Sequence, residues 1–236
     1  MACRSWWLNN GSTADINYAI IKNGFIGLQC DVFPTPAAQD HLFLSNTIIK
    51  NMSGFGLLSY DYKIKGWNYV IANCGSYCCA LTGGGNYEFL HCTMANYWKN
   101  SQRSTPAVYL NNYIAKASSN EIHDLTKADF DNCIIYGALD DELQVDTLHI
   151  NTAIINFRFD HCAIKAKETS TSGSHFIVPF RNYDPMFKDE STNNYEVNSS
   201  NLNVGDPAFL VGGLTDFDIK GKQRSTTIPT LGAYEK

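Results

Sequence analysis

The chain has 236 residues, a formal charge of -5, 44% apolar residues, 13% aromatic residues and only 17% charged residues. So many rings and so few charges exclude a disordered chain, and the shortage of Glu, Lys and Arg argues against long surface helices. The mild acidity carries no electrostatic footprint for nucleic acid, and no apolar run reaches the roughly 18 residues of a membrane span.

In chain order, Trp6-Trp7-Leu8 reads as a first extended segment, with no charged-then-apolar leader before it. A six-residue pattern then recurs: I-N-Y-A-I-I (16–21), L-S-N-T-I-I (44–49), I-A-N-C-G-S (71–76), F-L-H-C-T-M (89–94), F-D-N-C-I-I (130–135) and F-D-H-C-A-I (159–164). Its first column is apolar throughout. Its third is Tyr18, Asn46, Asn73, His91, Asn132 and His161, and its fourth holds the small residues Ala19, Thr47, Cys74, Cys92, Cys133 and Cys162. A second column pairs a small residue with an aliphatic one at Gly27-Leu28, Gly56-Leu57, Ala80-Leu81 and Ala107-Val108. Short extended segments separated by Asn- and Gly-rich bends fit this spacing, and helices of ten or more residues do not. Gly83-Gly84-Gly85 lacks the following Lys and helix of a phosphate loop and reads as a tight bend.

No such coil buries its own apolar face, but stacked coils bury a continuous column at about 4.8 Å per coil. Asn at a bend can pass amide hydrogen bonds to the next coil. The 41-residue interval from Cys92 to Cys133 holds either the largest insertion or one degenerate coil. The eight Cys read as small apolar packing residues and not as a disulfide framework or zinc site, with Cys78 and Cys79 one in and one out and Cys79 near the Gly27 and Gly56 positions.

On the F-x-N-C-x-I signature, the segment Y-A-I-I-K-N-G (18–24), the turns D-P-M-F (184–187) and D-P-A-F (206–209) and the ending L-G-A-Y-E (231–235), the chain resembles bacterial secreted or surface right-handed parallel β-helix proteins of the pectate-lyase-like superfamily, in their C-terminal portion. The expected fold is all-β: one right-handed parallel β-helix domain over 1–236, about six to eight coils. Regular coils run from about 12 to 171, with irregular coils and a C-terminal cap from about 172 to 236. The resemblance implies an extracellular or cell-surface location. It also implies upstream coils, or a subunit of an oligomer, over the first coil.

The candidate catalytic set is acidic. Position two of the pattern and the residue before position one should face outward, which in the last two copies gives Asp131, Asp160, Asp129 and Arg158. Direct stacking would set Asp131 against Asp160 and Asp129 against Arg158. Two such carboxylates invite a cation, and the resemblance implies Ca²⁺ at Asp131 and Asp160; the alternative is a charged ladder with an ordinary ion pair. Trp67, Tyr69, Tyr87, Trp98, Tyr109 and Tyr113, with Tyr97, form a candidate carbohydrate strip, against burial of the same rings on the solenoid. His91 and His161 read as stacked bend residues, and the sequons at Asn10, Asn51 and Asn198 as products of Asn-rich turns. The expected function is polysaccharide binding or scaffolding. A lyase or glycoside hydrolase acting on an acidic polysaccharide, or a structural stalk of a longer surface protein, are the alternatives.

Overall fold

The computed structural model describes residues 4–9, 12–31, 41–150 and 152–236; Cys3 and Asn10 lie outside them. The chain winds through six coils, each giving one strand to each of three sheets. The first coil is β1 (Arg4–Leu8), β2 (Ala14–Asn17) and β3 (Ile20–Lys22), and the second is β4 (Ile26–Asp31), β5 (Leu42–Ser45) and β6 (Ile48–Met52). The third is β7 (Phe55–Tyr60), β8 (Lys63–Trp67) and β9 (Val70–Cys74), and the fourth is β10 (Cys79–Thr82), β11 (Gly85–Leu90) and β12 (Thr93–Asn96). The fifth opens with β13 (Val108–Asn111), detours through an antiparallel hairpin of β14 (Tyr113–Ala115) and β15 (Asn120–Ile122), and resumes as β16 (Leu125–Asp131) and β17 (Ile134–Gly137). The sixth is β18 (Leu143–Asp146), β19 (Arg158–Asp160) and β20 (Ala163–Ile164), and β21 (Phe176–Ile177) and β22 (Phe180–Arg181) add part of a seventh.

Every neighbour within the three sheets is parallel, and the sheet orders are β1-β4-β7-β10-β13-β18, β2-β5-β8-β11-β16-β19-β21 and β3-β6-β9-β12-β17-β20-β22. This is a parallel β-helix. Its core is three ladders of like on like. The first sheet stacks Leu28, Leu57, Cys79, Val108 and Leu143, and the third stacks Ile21, Ile49, Ile71, Met94, Ile135 and Ile164. On the second sheet Phe89, Phe130, Phe159 and Phe176 stack with centroids 4.9, 4.7 and 5.1 Å apart.

The bend from the second to the third sheet turns on one left-handed residue per coil: Tyr18, Asn46, Asn68, His91, Asn132 and His161 all have φ near +50°. Asn tolerates this region better than most residues because its short amide bonds locally. Asn68 passes its amide to Asn46 at 3.4 Å, and Asn132 meets His91 Nε2 at 3.1 Å, which is the expected bend ladder. At the bend from β10 to β11, Gly83, Gly84 and Gly85 all have positive φ, the tight turn read from the sequence.

The register corrects three readings. The third copy of the pattern is G-W-N-Y-V-I (66–71), five residues earlier than I-A-N-C-G-S. Gly66 pairs with Leu44 and Phe89, so it holds the large apolar position, and Tyr69 holds the small one. The two have exchanged sizes: a Cβ on Gly66 would lie 2.5 Å from Tyr69 Cε1. The displaced copy matched a second left-handed column, Asn23, Asn51 and Asn73, at the bend from the third sheet to the first. Cys74 therefore stacks on Met52, while Cys92, Cys133 and Cys162 form the column of the other bend. Second, Cys79 pairs with Leu57 and Val108, so Cys78 and not Ala80 takes the small position after Gly27 and Gly56; Cys78 and Cys79 are both fully buried. Third, Phe89 pairs directly with Phe130, so the long interval hides no coil. It holds two insertions, the loop 97–107 and the β14–β15 hairpin.

That loop is tied down by an ion pair inside the molecule. Arg103 donates to both carboxylate oxygens of Glu142 at 2.8 and 2.7 Å and to the Asn96 carbonyl at 2.8 Å. Glu142 also accepts the backbone N–H groups of Ala107 and Leu139, so its acceptors are met although it is fully buried.

After the partial seventh coil the chain runs back along the outer face of the third sheet. There β23 (Phe187–Asp189) and β24 (Asn194–Val197) pair antiparallel, and Phe187, Tyr195, Val197, Leu202, Leu231 and Ala233 pack on Val70, Ala72, Ala95, Ile134, Tyr136 and Ala163. Bend residues anchor this strap: Asn68 donates to the Phe217 carbonyl, Arg224 to Asn68, and Asn132 exchanges bonds with Asp206. The stacked Asn amides therefore serve as docking points for the tail as well as ladder rungs.

Candidate functional site

On the first sheet, Leu57 and Cys79 point into the main core, and the alternate positions Gln29, Leu58, Ala80, Tyr109 and Gln144 form a column on the outer face. Leu58, Ala80 and Ile26 form a separate small apolar cluster there with Phe55, Tyr60 and Tyr77. Four rings follow one another from coil to coil: Phe25 to Phe55 at 6.5 Å, Phe55 to Tyr77 at 5.8 Å and Tyr77 to Tyr109 at 5.5 Å. Phe25 is exposed and the other three are half-buried, so the strip presents ring surface to solvent.

Polar groups mark both ends of the strip. At the fifth coil Tyr113 and Tyr109 donate to one oxygen of Asp146 at 2.6 and 3.1 Å, and Asn111 donates to the Tyr109 hydroxyl at 3.0 Å. At the first coils Trp7 Nε1 and Gln29 donate to Asp31 at 2.7 and 2.8 Å.

Beside the strip, at the bend from the third sheet to the first, lies a cleft of about 540 Å³. Its lining includes Asn23, Asn51 and Asn73, the rings of Tyr97 and Trp98, and Glu190 from the strap. Gly24 and Ser53 line it too and directly precede the strip residues Phe25 and Gly54-Phe55, so cleft and strip border one another. Trp98 Nε1 donates to Ser101 Oγ at 2.8 Å, and the Arg103–Glu142 pair holds the far end of the same loop.

The aromatic residues expected from the sequence divide accordingly. Trp98, Tyr109 and Tyr113 belong to this face. Trp67 is half-buried on the second sheet, in register with Ser45 and Leu90. Tyr69 and Tyr87 are fully buried core side chains and cannot meet a ligand; each fills an interior position where the coil would otherwise be hollow. Phe25, Phe55 and Tyr77 escaped the sequence reading. Their signal is an aromatic one or two places before the small residues Gly27, Gly56 and Cys78.

The acidic set comes together in the expected register. Asp129 pairs with Arg158 and Asp131 with Asp160. Arg158 reaches across to both oxygens of Asp131 at 2.9 and 2.8 Å and to Asp129 at 3.2 Å, and Asp160 bonds His161 Nδ1 at 2.8 Å. Lys127 joins Glu88 to Asp129, and Lys65 meets Glu88, so an alternating charge ladder runs over the outer face of the second sheet. Phe209 of the strap lies 5.6 Å from the Arg158 guanidinium. Among the described residues no three His, Cys, Asp or Glu side chains converge to hold a metal ion, and a guanidinium stands where a cation would serve Asp131.

Burial pushes the Asp131 carboxyl up to about 7 from its ordinary 3.8, against the downward pull of Arg158. Between those values the folded chain holds more protons than the unfolded one, so this group's contribution to stability falls as pH rises from about 4 to about 7. Wild type should therefore lose stability relative to Asp131→Asn over that window, by at most about 1.4 kcal/mol per pH unit. Urea midpoints of both proteins at pH 4.5, 6 and 7.5 measure this; a difference constant with pH would contradict it.

Comparison with family models, curated proteins and solved structures finds no match to this chain. Fold and site together define the class: a parallel β-helix with an aromatic outer face. No helix among the described residues is long and apolar enough to cross a membrane.

Proposed function

We propose that this protein is a glycan-binding β-helix of the extracellular or cell-surface kind, similar in kind to the pectate-lyase-like solenoids, and that its ligand docks on the outer face of the first sheet and in the adjoining cleft. The observation that carries this reading is the run of four partly exposed rings across successive coils beside a cleft lined by asparagine side chains and Trp98. Sugar rings offer C–H faces to aromatic surfaces and hydroxyls to amides and carboxylates, so this mixture suits them. The acidic set on the second sheet is engaged with Arg158 and His161, which favours binding over catalysis as its setting. The seven described cysteines are free and buried, which shields their thiols in an oxidising environment.

Intrinsic fluorescence during titration with soluble oligosaccharides tests the reading. A binding isotherm is expected, weakened about tenfold or more, roughly 1.4 kcal/mol, in Trp98→Ala and in Tyr77→Ala. Unchanged affinity in both variants would sink the assignment of this face.

A further inference from the structure

The column of asparagines in the cleft narrows the ligand class, resting on the glycan reading above. We infer that the cleft holds the N-acetyl group of a glycan containing N-acetylhexosamine, with the side-chain amides of Asn51 and Asn23 bonding its amide and Trp98 meeting its methyl.

Asn23, Asn51 and Asn73 form one column. Lys22 pairs with Lys50 and Lys50 with Ala72, so the residues that follow them stack from coil to coil at about 4.8 Å. All three are left-handed, with φ of +62°, +57° and +53°. The strap answers one rung of this column. Asn73 Nδ2 donates to Asn193 Oδ1 at 2.7 Å, and Asn73 Oδ1 accepts from the Tyr97 backbone N–H at 3.2 Å and from the Tyr195 hydroxyl at 2.8 Å. The groups that satisfy Asn73 are therefore an amide carbonyl, an amide N–H and a hydroxyl. The next two rungs carry the same donor and acceptor, and no described residue bonds to their side chains. Both line the cleft, Asn51 half-buried and Asn23 exposed.

An N-acetylhexosamine supplies those three groups on one sugar: the acetamido carbonyl, the acetamido N–H and the ring hydroxyls. A sugar hydroxylated at every position lacks the amide, and a peptide backbone lacks the hydroxyl. The acetyl methyl needs an apolar wall, and Trp98 provides it. A Cβ on Gly75 would lie 3.4 Å from Trp98 Cε2, which places the indole two residues beyond the Asn73 bend. The indole is half-buried and lines the cleft beside Tyr97. The cleft volume of about 540 Å³ falls within the roughly 300–1,000 Å³ of small-ligand sites. Lys99 and Glu190 bring one charge of each sign to the lining, so the amide and not the charge marks the ligand.

The experiment is a calorimetric titration of the protein with chitohexaose and cellohexaose, whose β-1,4 glucan backbones differ by the acetamido group in place of a hydroxyl. Wild type should bind chitohexaose at least about tenfold more tightly, because a site that bonds the amide is left unpaired by the analogue without it. Asn51→Gly and Asn23→Gly remove the side chains and keep a residue suited to positive φ. Each should narrow the ratio at least about threefold, with thermal melts checking the fold. Cellohexaose binding wild type as tightly as chitohexaose, with both weakened in Trp98→Ala and Tyr77→Ala, would overturn the N-acetyl class and leave glycan binding intact. A preference for chitohexaose unchanged in both glycine variants would overturn the asparagine column as its source. Binding of neither probe would also overturn the N-acetyl class; the glycan reading would stand if another soluble oligosaccharide bound and was weakened in Trp98→Ala and Tyr77→Ala.

Discussion

Glu142→Ala should unfold the fifth and sixth coils well before the rest and cost about 3–5 kcal/mol, the range for stripping one partner from a buried ion pair. The substitution leaves the Arg103 guanidinium buried without its counter-charge and removes the acceptor of two backbone N–H groups, those of Ala107 and Leu139. Arg103→Ala should cost a similar amount for the mirror reason, since the Glu142 carboxylate would then be buried with only backbone donors. The double variant should be less damaging than the sum of the two, because neither charge is then left alone. Urea denaturation of the four proteins gives the cycle, and strict additivity would contradict the account. The pair also holds the loop 97–107 that carries Tyr97 and Trp98 to the cleft, so Arg103→Ala should weaken oligosaccharide binding under conditions where the protein remains folded.

The second large effect concerns the size exchange in the third coil. Gly66→Phe alone should be strongly destabilising, since even a Cβ there meets Tyr69 at 2.5 Å. Tyr69→Cys alone should cost about 3–5 kcal/mol through the cavity left in a fully buried site. Together they write the pattern of the later coils, Phe at the large position and Cys at the small one, into the third coil. The ring introduced at 66 would stack on Phe89, and the thiol at 69 on Cys92. The double variant should recover at least about 2 kcal/mol over the sum of the singles. Thermal melts of the set measure this. No recovery would mean that the register of the third coil is not the one described.

That exchange also explains which parts of the fold were legible in the sequence. The solenoid was readable because a parallel β-helix stacks like on like, so Phe89, Phe130 and Phe159, with Cys92, Cys133 and Cys162 three places on, repeat in the sequence what the coils repeat in space. The third coil was misread by five residues because Gly66 and Tyr69 conserve volume between them and not column by column. Asn73 strengthened the error by offering a second left-handed bend with the same local chemistry. The pairing of Asp131 with Asp160 was legible because both follow the Phe of the same repeated pattern, F-D-N-C and F-D-H-C; the reach of Arg158 across to Asp131 was not, since rotamers have no sequence signature. Nor did the sequence announce Glu142, which follows Gly27, Gly56, Cys78 and Ala107 in a column of small residues. The path of the tail was hidden for a different reason. Its apolar residues are irregularly spaced because they fit the outer face of a sheet already built, and only the outward apolar residues Val70, Ala72, Ala95 and Ile134 hinted that something must cover them.

The central claim is that the outer face of the first sheet, with its bordering cleft, is where ligand sits. Hydrogen–deuterium exchange with and without a saturating concentration of the tightest-binding soluble oligosaccharide tests it most directly. The account predicts slowed exchange in residues 23–31, 53–60, 73–82 and 97–111, the four coil segments that carry the rings and the cleft, with 127–131 and 158–161 unchanged. Protection confined to 127–131 and 158–161 would place the ligand on the acidic ladder of the second sheet instead, and would contradict it.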